Sequence, residues 1–346
     1  MPPSSLSRRD LARGLALFGL SAAGAARAQS RVPAGADPAI EAAVQKAHAR
    51  FRGLTEGKNA DYIPALAKVP SDYFGIALTT TRGQTSAVGD LEPTFSIQSI
   101  SKVFTLALVL QQSGEAAVEQ SVGVDATGRV FNSIEAVELH KGRDMNPFVN
   151  PGAIATTGNV KGANAEEIWN RILDIHSAFA GRRLEVNQEV YKSESDTNQR
   201  NRAIGMLMSA YGRFEGDPAQ ATDLYTRQCS IAVNARDLGV MAATLANGGK
   251  NPVTGKQVID NRHVAGLLAV MATAGLYDAS GEWLFHTGLP AKSGVGGGLI
   301  AVAPGRFGVG CFAPRLDEAG NSVRGQKAVA DIAADLGANP SAVKPV

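Results

Sequence analysis

The most informative octapeptide in the chain is Phe95-Ser96-Ile97-Gln98-Ser99-Ile100-Ser101-Lys102. It sets Ser99 three residues before Lys102, at the start of a predicted apolar helix that ends at Gly114. Residues three apart share one face of a helix, so the two side chains can meet. A serine hydroxyl needs a neighbouring base, and a lysine whose pKa burial lowers can act as one. The octapeptide therefore predicts Ser99 as a nucleophile and Lys102 as its base.

A second element far downstream makes this pattern more specific, because S-x-x-K alone is common. The segment Pro290-Ala291-Lys292-Ser293-Gly294-Val295 contains the K-[ST]-G sequence. That sequence accompanies S-x-x-K in serine β-lactamases and penicillin-binding proteins. The backbone N–H groups of Ser99 and Val295 are the expected oxyanion hole. The two motifs in this order predict a serine acyl-transfer site.

The order of predicted elements indicates an α+β fold of the serine β-lactamase-like class. We expect strands at 74–79, 85–88, 291–303 and 307–313, and strands joined by tight turns pair antiparallel. We expect helices at 38–52, 99–112, 165–180, 198–212, 235–247, 260–273 and 323–336. The prediction is an antiparallel sheet flanked by helices (38–94 plus 275–346) with a mostly helical subdomain (95–274).

The first residues have the pattern of an export signal. Paired arginines, Arg8 and Arg9, precede a short apolar run, and Ala26-Arg27-Ala28 fits a small-residue cleavage site. We predict a twin-arginine signal peptide at 1–28, a linker at 29–37 and a periplasmic protein, with a cytoplasmic location as the alternative. The apolar run is too short to span a bilayer stably, so no membrane insertion is expected after cleavage.

Composition excludes several other classes of function. The formal net charge is +2 with 19% charged residues and no basic stripe, which argues against nucleic acid as a partner. The five histidines show no metal-binding spacing, and we expect no metal and no organic cofactor. Cys229 and Cys311 are expected to be buried thiols, and a disulfide between them stays open for an exported protein.

Several long segments resemble the bacterial serine-dependent glutaminases, from about Ala60 to Gly337. These segments follow one another along the chain in the same order as in that family. They include Ala60 to Ala67, Phe95 to Lys102, Asn146 to Asn150, Glu194 with Arg200 to Ile204, Gln228 to Ser230, Gly275 to Asp278, and Gly288 to Gly298. The resemblance makes 38–346 a glutaminase domain with the β-lactamase-like fold. It implies a homo-oligomer, often a tetramer in this family.

The resemblance also implies the substrate and the residues that bind it. The implied reaction is hydrolysis of L-glutamine to L-glutamate and ammonia through a glutamyl ester of Ser99. The implied substrate-binding residues are Ser99, Asn150, Glu194, Asn201, Tyr225, Tyr277 and Val295. Glu194 suits the substrate ammonium, and Tyr225 suits proton transfer to the leaving ammonia.

Two features depart from the family pattern, and two alternative functions stay open. Members of the family are mostly cytoplasmic, whereas this chain carries a leader, and the segment before Ala60 does not match. One alternative is a β-lactamase or D-Ala-D-Ala peptidase, although the S-D-N element of class A β-lactamases is missing. The other is a non-enzymatic periplasmic glutamine-binding protein, against which the intact Ser99, Lys102 and Ser293 argue.

Overall fold

An antiparallel five-stranded sheet joins the two ends of the described chain. The computed structural model describes residues 37–143, 145–343 and 345. The predicted signal peptide at 1–28 and residues 29–36 of the linker lie outside these residues. The strands are β1 Gly75–Thr80, β2 Thr85–Gly89, β3 Phe95–Ser96, β4 Glu185–Val186, β5 Ile231–Val233, β6 Ala291–Gly294, β7 Gly298–Ala303 and β8 Phe307–Phe312. The large sheet has the order β2-β1-β8-β7-β6, which confirms the predicted antiparallel pairing of early and late strands.

The predicted single strand at 291–303 is wrong, because this segment is a hairpin. β6 and β7 pair in the register Gly294↔Gly298, with the turn at 295–297. Gly297 has a φ of +96°, a conformation that favours glycine. The sequence does not reveal this turn, because the turn residues include no polar side chain that would separate two apolar strands.

The described ranges contain fourteen α-helices. They are α1 Pro38–Phe51, α2 Pro64–Ala67, α3 Ser101–Ser113, α4 Glu115–Ser121, α5 Ile134–His140, α6 Asn150–Gly158, α7 Ala165–Ala180, α8 Gln188–Thr197, α9 Gln199–Ala210, α10 Pro218–Cys229, α11 Ala235–Ala246, α12 Val264–Ala274, α13 Ser280–Thr287 and α14 Val323–Asp335. Seven correspond to the predicted helices. The N-cap of α1 is Asp37, whose side chain accepts a hydrogen bond from Ala39 N at 2.9 Å.

One helix from the predicted helical subdomain packs on the sheet. α11 lies against β8, β1 and β7, while α1 and α14 cover the opposite face. The close approach depends on glycine: a Cβ on Gly310 would lie 2.4 Å from Gly239 N, and one on Gly308 would lie 2.1 Å from Ala243 N. Helical periodicity does not reveal which layer a helix joins, so the sequence did not predict this contact.

Helix α3 is buried along most of its length and carries the predicted nucleophile region. Its residues 101–110 are all buried, among α6, α7 and α12. Just before it, β3 pairs with β5 through Phe95↔Val233, in a small sheet ordered β3-β5-β4. These strands of two and three residues are too short to show a period of two. They fix the chain immediately before Ser99.

The described part of the chain contains no single helix that is long and apolar enough to cross a bilayer, although the bent pair Asn261–Ala274 and Tyr277–Thr287, which meet at 99°, passes that test together. Cys229 and Cys311 are both buried and unpaired, as expected for thiols that pack as small apolar groups.

Candidate active site

A cavity of about 300 Å³ gathers most of the predicted substrate-binding residues. Its walls include Ser99, Asn150, Glu194, Asn201, Tyr225 and Val295. They come from the 3₁₀ turn just before α3, from α6, α8, α9 and α10, and from the turn between β6 and β7. A larger cleft of about 800 Å³ elsewhere contains none of them, so volume alone does not identify the site.

Ser99 lies on a short 3₁₀ turn, Gln98–Ile100, that leads directly into α3. The preceding residue, Gln98, has a φ of +49°, which is uncommon for a residue other than glycine. Such backbone strain persists where the surroundings enforce it, and it clusters at functional sites. Here the turn presents Ser99 to the cavity while the rest of α3 stays in the core.

Lys102 is 1% exposed and lies one turn after Ser99. Its Nζ donates to Asn150 Oδ1 at 2.8 Å and to Phe148 O at 3.1 Å. Burial disfavours the ammonium form and lowers the pKa of Lys102 to about 8. The predicted base therefore has a neutral form that is accessible near physiological pH.

Asn150 connects three predicted residues through its side-chain amide. Its Oδ1 accepts from Lys102 and from the hydroxyl of Tyr225, the latter at 3.2 Å. Its Nδ2 donates to Asn201 Oδ1 at 3.0 Å. Because two donors point at one end and an acceptor at the other, the amide orientation is fixed. Burial raises the pKa of Tyr225 well above its usual value, so this phenol keeps its proton.

Glu194 is a buried residue of the cavity wall. Its Oε2 accepts from Gln98 Nε2 at 3.1 Å. Burial raises the pKa of Glu194 to about 7, and the Gln98 hydrogen bond and the charge of Lys102 oppose that rise. A cationic ligand group would favour the ionised carboxylate.

Tyr277, a predicted substrate-binding residue, contacts Lys292, and neither is among the residues that line the cavity. Tyr277 has a φ of +56°, and its ring lies 4.1 Å from Lys292 Nζ and 4.9 Å from the ring of Phe131, which lines the cavity. Lys292 Nζ also donates to Gly275 O at 2.9 Å and Ser293 O at 2.8 Å. Burial raises the pKa of Tyr277 to about 12, and the neighbouring Ser99 hydroxyl opposes this rise.

The end of β6 lies directly against the backbone of the nucleophile turn. A Cβ on Gly294 would lie 2.7 Å from Ile97 O and 3.3 Å from Ser99 N. Only glycine fits this approach without a shift of one of the two segments. It brings Val295 into the cavity wall that also contains Ser99. The K-S-G motif is therefore adjacent to the S-x-x-K motif, as predicted.

Eight further residues of the cavity wall were not predicted from the sequence. These residues are Tyr62, Ile63, Gln98, Phe131, Asn132, Thr197, Asn198 and Arg200. Gln98 lies in the octapeptide beside Ser99, but the others come from loops and helix ends with no local pattern. Within the residues placed by the structure, no group of three or more His, Cys, Asp or Glu is arranged to hold a metal ion.

Comparisons with known proteins agree on one family. The family model described as Glutaminase matches residues 57–340. A glutaminase from Colwellia psychrerythraea is 53% identical over 302 residues, which are 87% of this chain and 97% of that protein. A glutaminase from Brucella canis is 52% identical over 301 residues, with 87% and 95% coverage.

Solved structures give the same result. The probable glutaminase ybaS is similar with a TM-score of 0.88 and 47% identity, covering 89% of this chain and 100% of that one. Mglu in its glutamate form is similar with a TM-score of 0.84 and 36% identity, covering 90% and 72%. Both likenesses therefore extend over most of the chain.

Proposed function

This chain belongs to the glutaminase family and hydrolyses L-glutamine to L-glutamate and ammonia, and we propose that Ser99 is the nucleophile of that reaction. The observation that carries the proposal is the cavity in which Ser99 meets Asn150, Glu194 and Tyr225, which are distant in sequence. Glu194 is buried in this cavity, and a substrate ammonium would stabilise its ionised carboxylate.

In the first half of the reaction, Ser99 Oγ attacks the side-chain carbonyl carbon of glutamine. Neutral Lys102 accepts the hydroxyl proton, which a lysine with a pKa of about 8 can do. The backbone N–H groups of Ser99 and Val295 stabilise the oxyanion. The C–N bond then breaks, the departing nitrogen takes up the proton, and Tyr225 serves in this transfer. The products are ammonia and a glutamyl ester of Ser99.

In the second half, water attacks the ester carbonyl and Lys102 accepts a proton from that water. Ser99 Oγ leaves and regains its proton, and glutamate is released. Each turnover consumes one water and one glutamine. Glu194 binds the substrate ammonium throughout, while Asn150 and Asn201 orient the bound amino acid. No step requires a metal or an organic cofactor.

The direct test measures ammonia release from L-glutamine by the purified protein, with a chromogenic cephalosporin in parallel. We expect ammonia from glutamine and no colour from the cephalosporin. Colour without ammonia would favour a lactam-hydrolysing enzyme. Tight glutamine binding without ammonia release would favour a binding protein.

The pH dependence of kcat/KM follows from two buried groups. Glu194, with a pKa raised to about 7, binds the ammonium when deprotonated. Lys102, with a pKa lowered to about 8, acts as a base when deprotonated. Both working forms are therefore lost on acidification. We expect kcat/KM to rise from about pH 6 to about pH 9 in stopped-time ammonia assays, and a flat profile over this range would contradict the assignment.

We further propose that the chain forms a homo-oligomer. Large apolar side chains are exposed at Leu139 on α5 and Met206 on α9, two helices that contact each other, and Val130 is exposed in the preceding loop. Analytical ultracentrifugation is expected to give a mass of at least a dimer. A single species at the monomer mass of about 36 kDa across micromolar concentrations would refute this.

The leader at 1–28 leads us to propose export to the periplasm. We expect fractionation to recover a shortened protein from the periplasm, because paired arginines before an apolar run are read by the twin-arginine route. Substitution of both Arg8 and Arg9 by lysine should retain the uncleaved chain in the cytoplasm. Periplasmic recovery of that variant, or cytoplasmic recovery of the parent, would exclude this route.

A further inference from the structure

We propose that Asn321 is a positioning residue that fixes Ser293 and the backbone of Tyr277, so that the Tyr277 hydroxyl stays beside Ser99 during acyl transfer. The inference rests on the proposed function and adds a residue that does not line the cavity. Because Asn321 acts through Tyr277, its effect on kcat depends on the Tyr277 hydroxyl.

Asn321 lies in the loop between β8 and α14 and is fully buried. Its backbone N–H donates to Asp317 Oδ1 at 2.9 Å. The other oxygen of that carboxylate accepts from Gln326 Nε2, on α14, at 2.8 Å. The next residue, Ser322, is the N-cap of α14. The backbone of Asn321 is therefore held by its own loop and helix, and its side chain is left to contact other segments.

The side-chain amide of Asn321 joins two segments of the site. Ser293 Oγ donates to Asn321 Oδ1, and Asn321 Nδ2 donates to Leu276 O at 3.2 Å. A backbone carbonyl can only accept, so the Nδ2 end must face Leu276 and the Oδ1 end must face Ser293. The single hydroxyl proton of Ser293 is thereby committed to Asn321. The amide thus connects the K-S-G motif to the turn that carries Tyr277.

That turn holds Tyr277 in an unusual backbone conformation, with a φ of +56°. Such a conformation persists only where the surroundings enforce it. The peptide group before Tyr277 is held through its carbonyl, Leu276 O, by Asn321. The peptide group after it is held through Tyr277 O, which accepts from Ser280 Oγ at 2.7 Å. Asn321 therefore supplies one of two side-chain contacts that fix the backbone on either side of Tyr277.

The Tyr277 hydroxyl depends on this backbone for its position. It is buried and forms no well-aligned hydrogen bond with the described residues. Burial raises the pKa of Tyr277, and the hydroxyls of Ser99 and Ser293 both oppose that rise, so both lie close to the phenol oxygen. Ser293 gives its proton to Asn321 and can therefore only accept from Tyr277. Loss of the Asn321 amide would release both the Ser293 hydroxyl and the Tyr277 turn.

The residue before Asn321 brings the same loop against the site. A Cβ on Gly320 would lie 3.9 Å from Tyr277 Cε2 and 3.4 Å from Val295 Cγ1. Gly320 has a φ of +94°, a conformation that favours glycine. The loop thus packs against two of the predicted substrate-binding residues while Asn321 holds the backbone next to one of them.

The test is a double-mutant cycle on kcat for ammonia release, which combines Asn321→Ala with Tyr277→Phe. We expect Asn321→Ala alone to lower kcat about thirtyfold, because small displacements of a group beside the reacting atoms are costly. Tyr277→Phe should lower kcat at least as much, since it removes the hydroxyl itself. In the Tyr277→Phe background, Asn321→Ala should lower kcat by less than about threefold, because the group that it positions is already missing.

Two further variants keep the result interpretable. Asn251→Ala is a matched control, because Asn251 is also fully buried and donates through Nδ2, to Ala178 O at 3.1 Å and Phe179 O at 3.0 Å, but lies outside the cavity. It should lower the thermal midpoint and retain the parental kcat. Asn321→Asp keeps the shape of the side chain and repeats the cycle if the alanine variant misfolds. Its ionised form accepts from Ser293 but cannot donate to Leu276 O, so we expect a loss of kcat that again requires the Tyr277 hydroxyl.

The outcomes separate the two proposals. A parent protein that releases no ammonia from glutamine would refute the proposed function. An active parent would refute the role of Asn321 alone if either single variant, Asn321→Ala or Tyr277→Phe, kept the parental kcat. A double variant whose loss of kcat equals the product of the two single losses would refute it as well.

Discussion

Replacement of Ser99 by alanine is expected to reduce ammonia release from L-glutamine by at least about a thousandfold. No other group is proposed to form the acyl ester, and loss of the nucleophile in serine hydrolases removes most of the catalysed rate. Binding should survive, because the cavity walls are unchanged apart from one hydroxyl. The measurement is kcat from coupled ammonia detection, together with L-glutamate affinity by calorimetry.

The control for this variant is Ser113→Ala at the other end of the same helix, which should retain parental activity. A glutamyl adduct trapped by acid quench should map to the peptide containing Ser99 in the parent and be missing in Ser99→Ala. Residual activity above about a tenth of the parental rate would mean that another nucleophile, or water acting directly, carries the reaction.

Replacement of Lys102 by methionine is expected to lower kcat/KM by about a thousandfold while the protein stays folded. Methionine fills a similar volume in the apolar helix and cannot accept the serine proton. Two acceptors, Phe148 O and Asn150 Oδ1, lose their donor, but the cost of burying an amine is also removed. We therefore expect a thermal midpoint within several degrees of the parent.

The variant Lys102→Arg distinguishes a role of Lys102 as a base from a role of its positive charge. A guanidinium stays protonated at all accessible pH values, so it restores a positive charge but no base. The arginine variant should be as inactive as the methionine variant. If arginine restored activity, Lys102 would act electrostatically and the base would have to be sought elsewhere, with Tyr225 as the nearest candidate.

Site residues that lie close together in the sequence could be predicted from local patterns. Site residues that meet only through the tertiary fold could not. The pairing of Ser99 with Lys102 depends on helical spacing, and the apolar sequence after Lys102 correctly indicated its burial. Glu194 and Asn201 were identified only through resemblance to a family, because a single acid in a polar helix carries no physical signal of its own.

Other features depend on contacts that no local pattern encodes. The hairpin at 291–303 is predicted as one strand, because no polar residue marks its turn at 295–297. The close packing of α11 on the sheet depends on Gly308 and Gly310 of β8, which is distant in sequence from α11.

The burial of α3 has a consequence for how the protein loses activity. Because residues 101–110 of the helix that carries Lys102 are all buried, and most of them belong to one large apolar cluster, we expect their amide protons to exchange with solvent only on global unfolding. Fraying of the surface helices leaves this segment intact. We therefore expect the segment that carries Lys102 to belong to the last cooperative unit to open, so that Lys102 keeps its position until global unfolding.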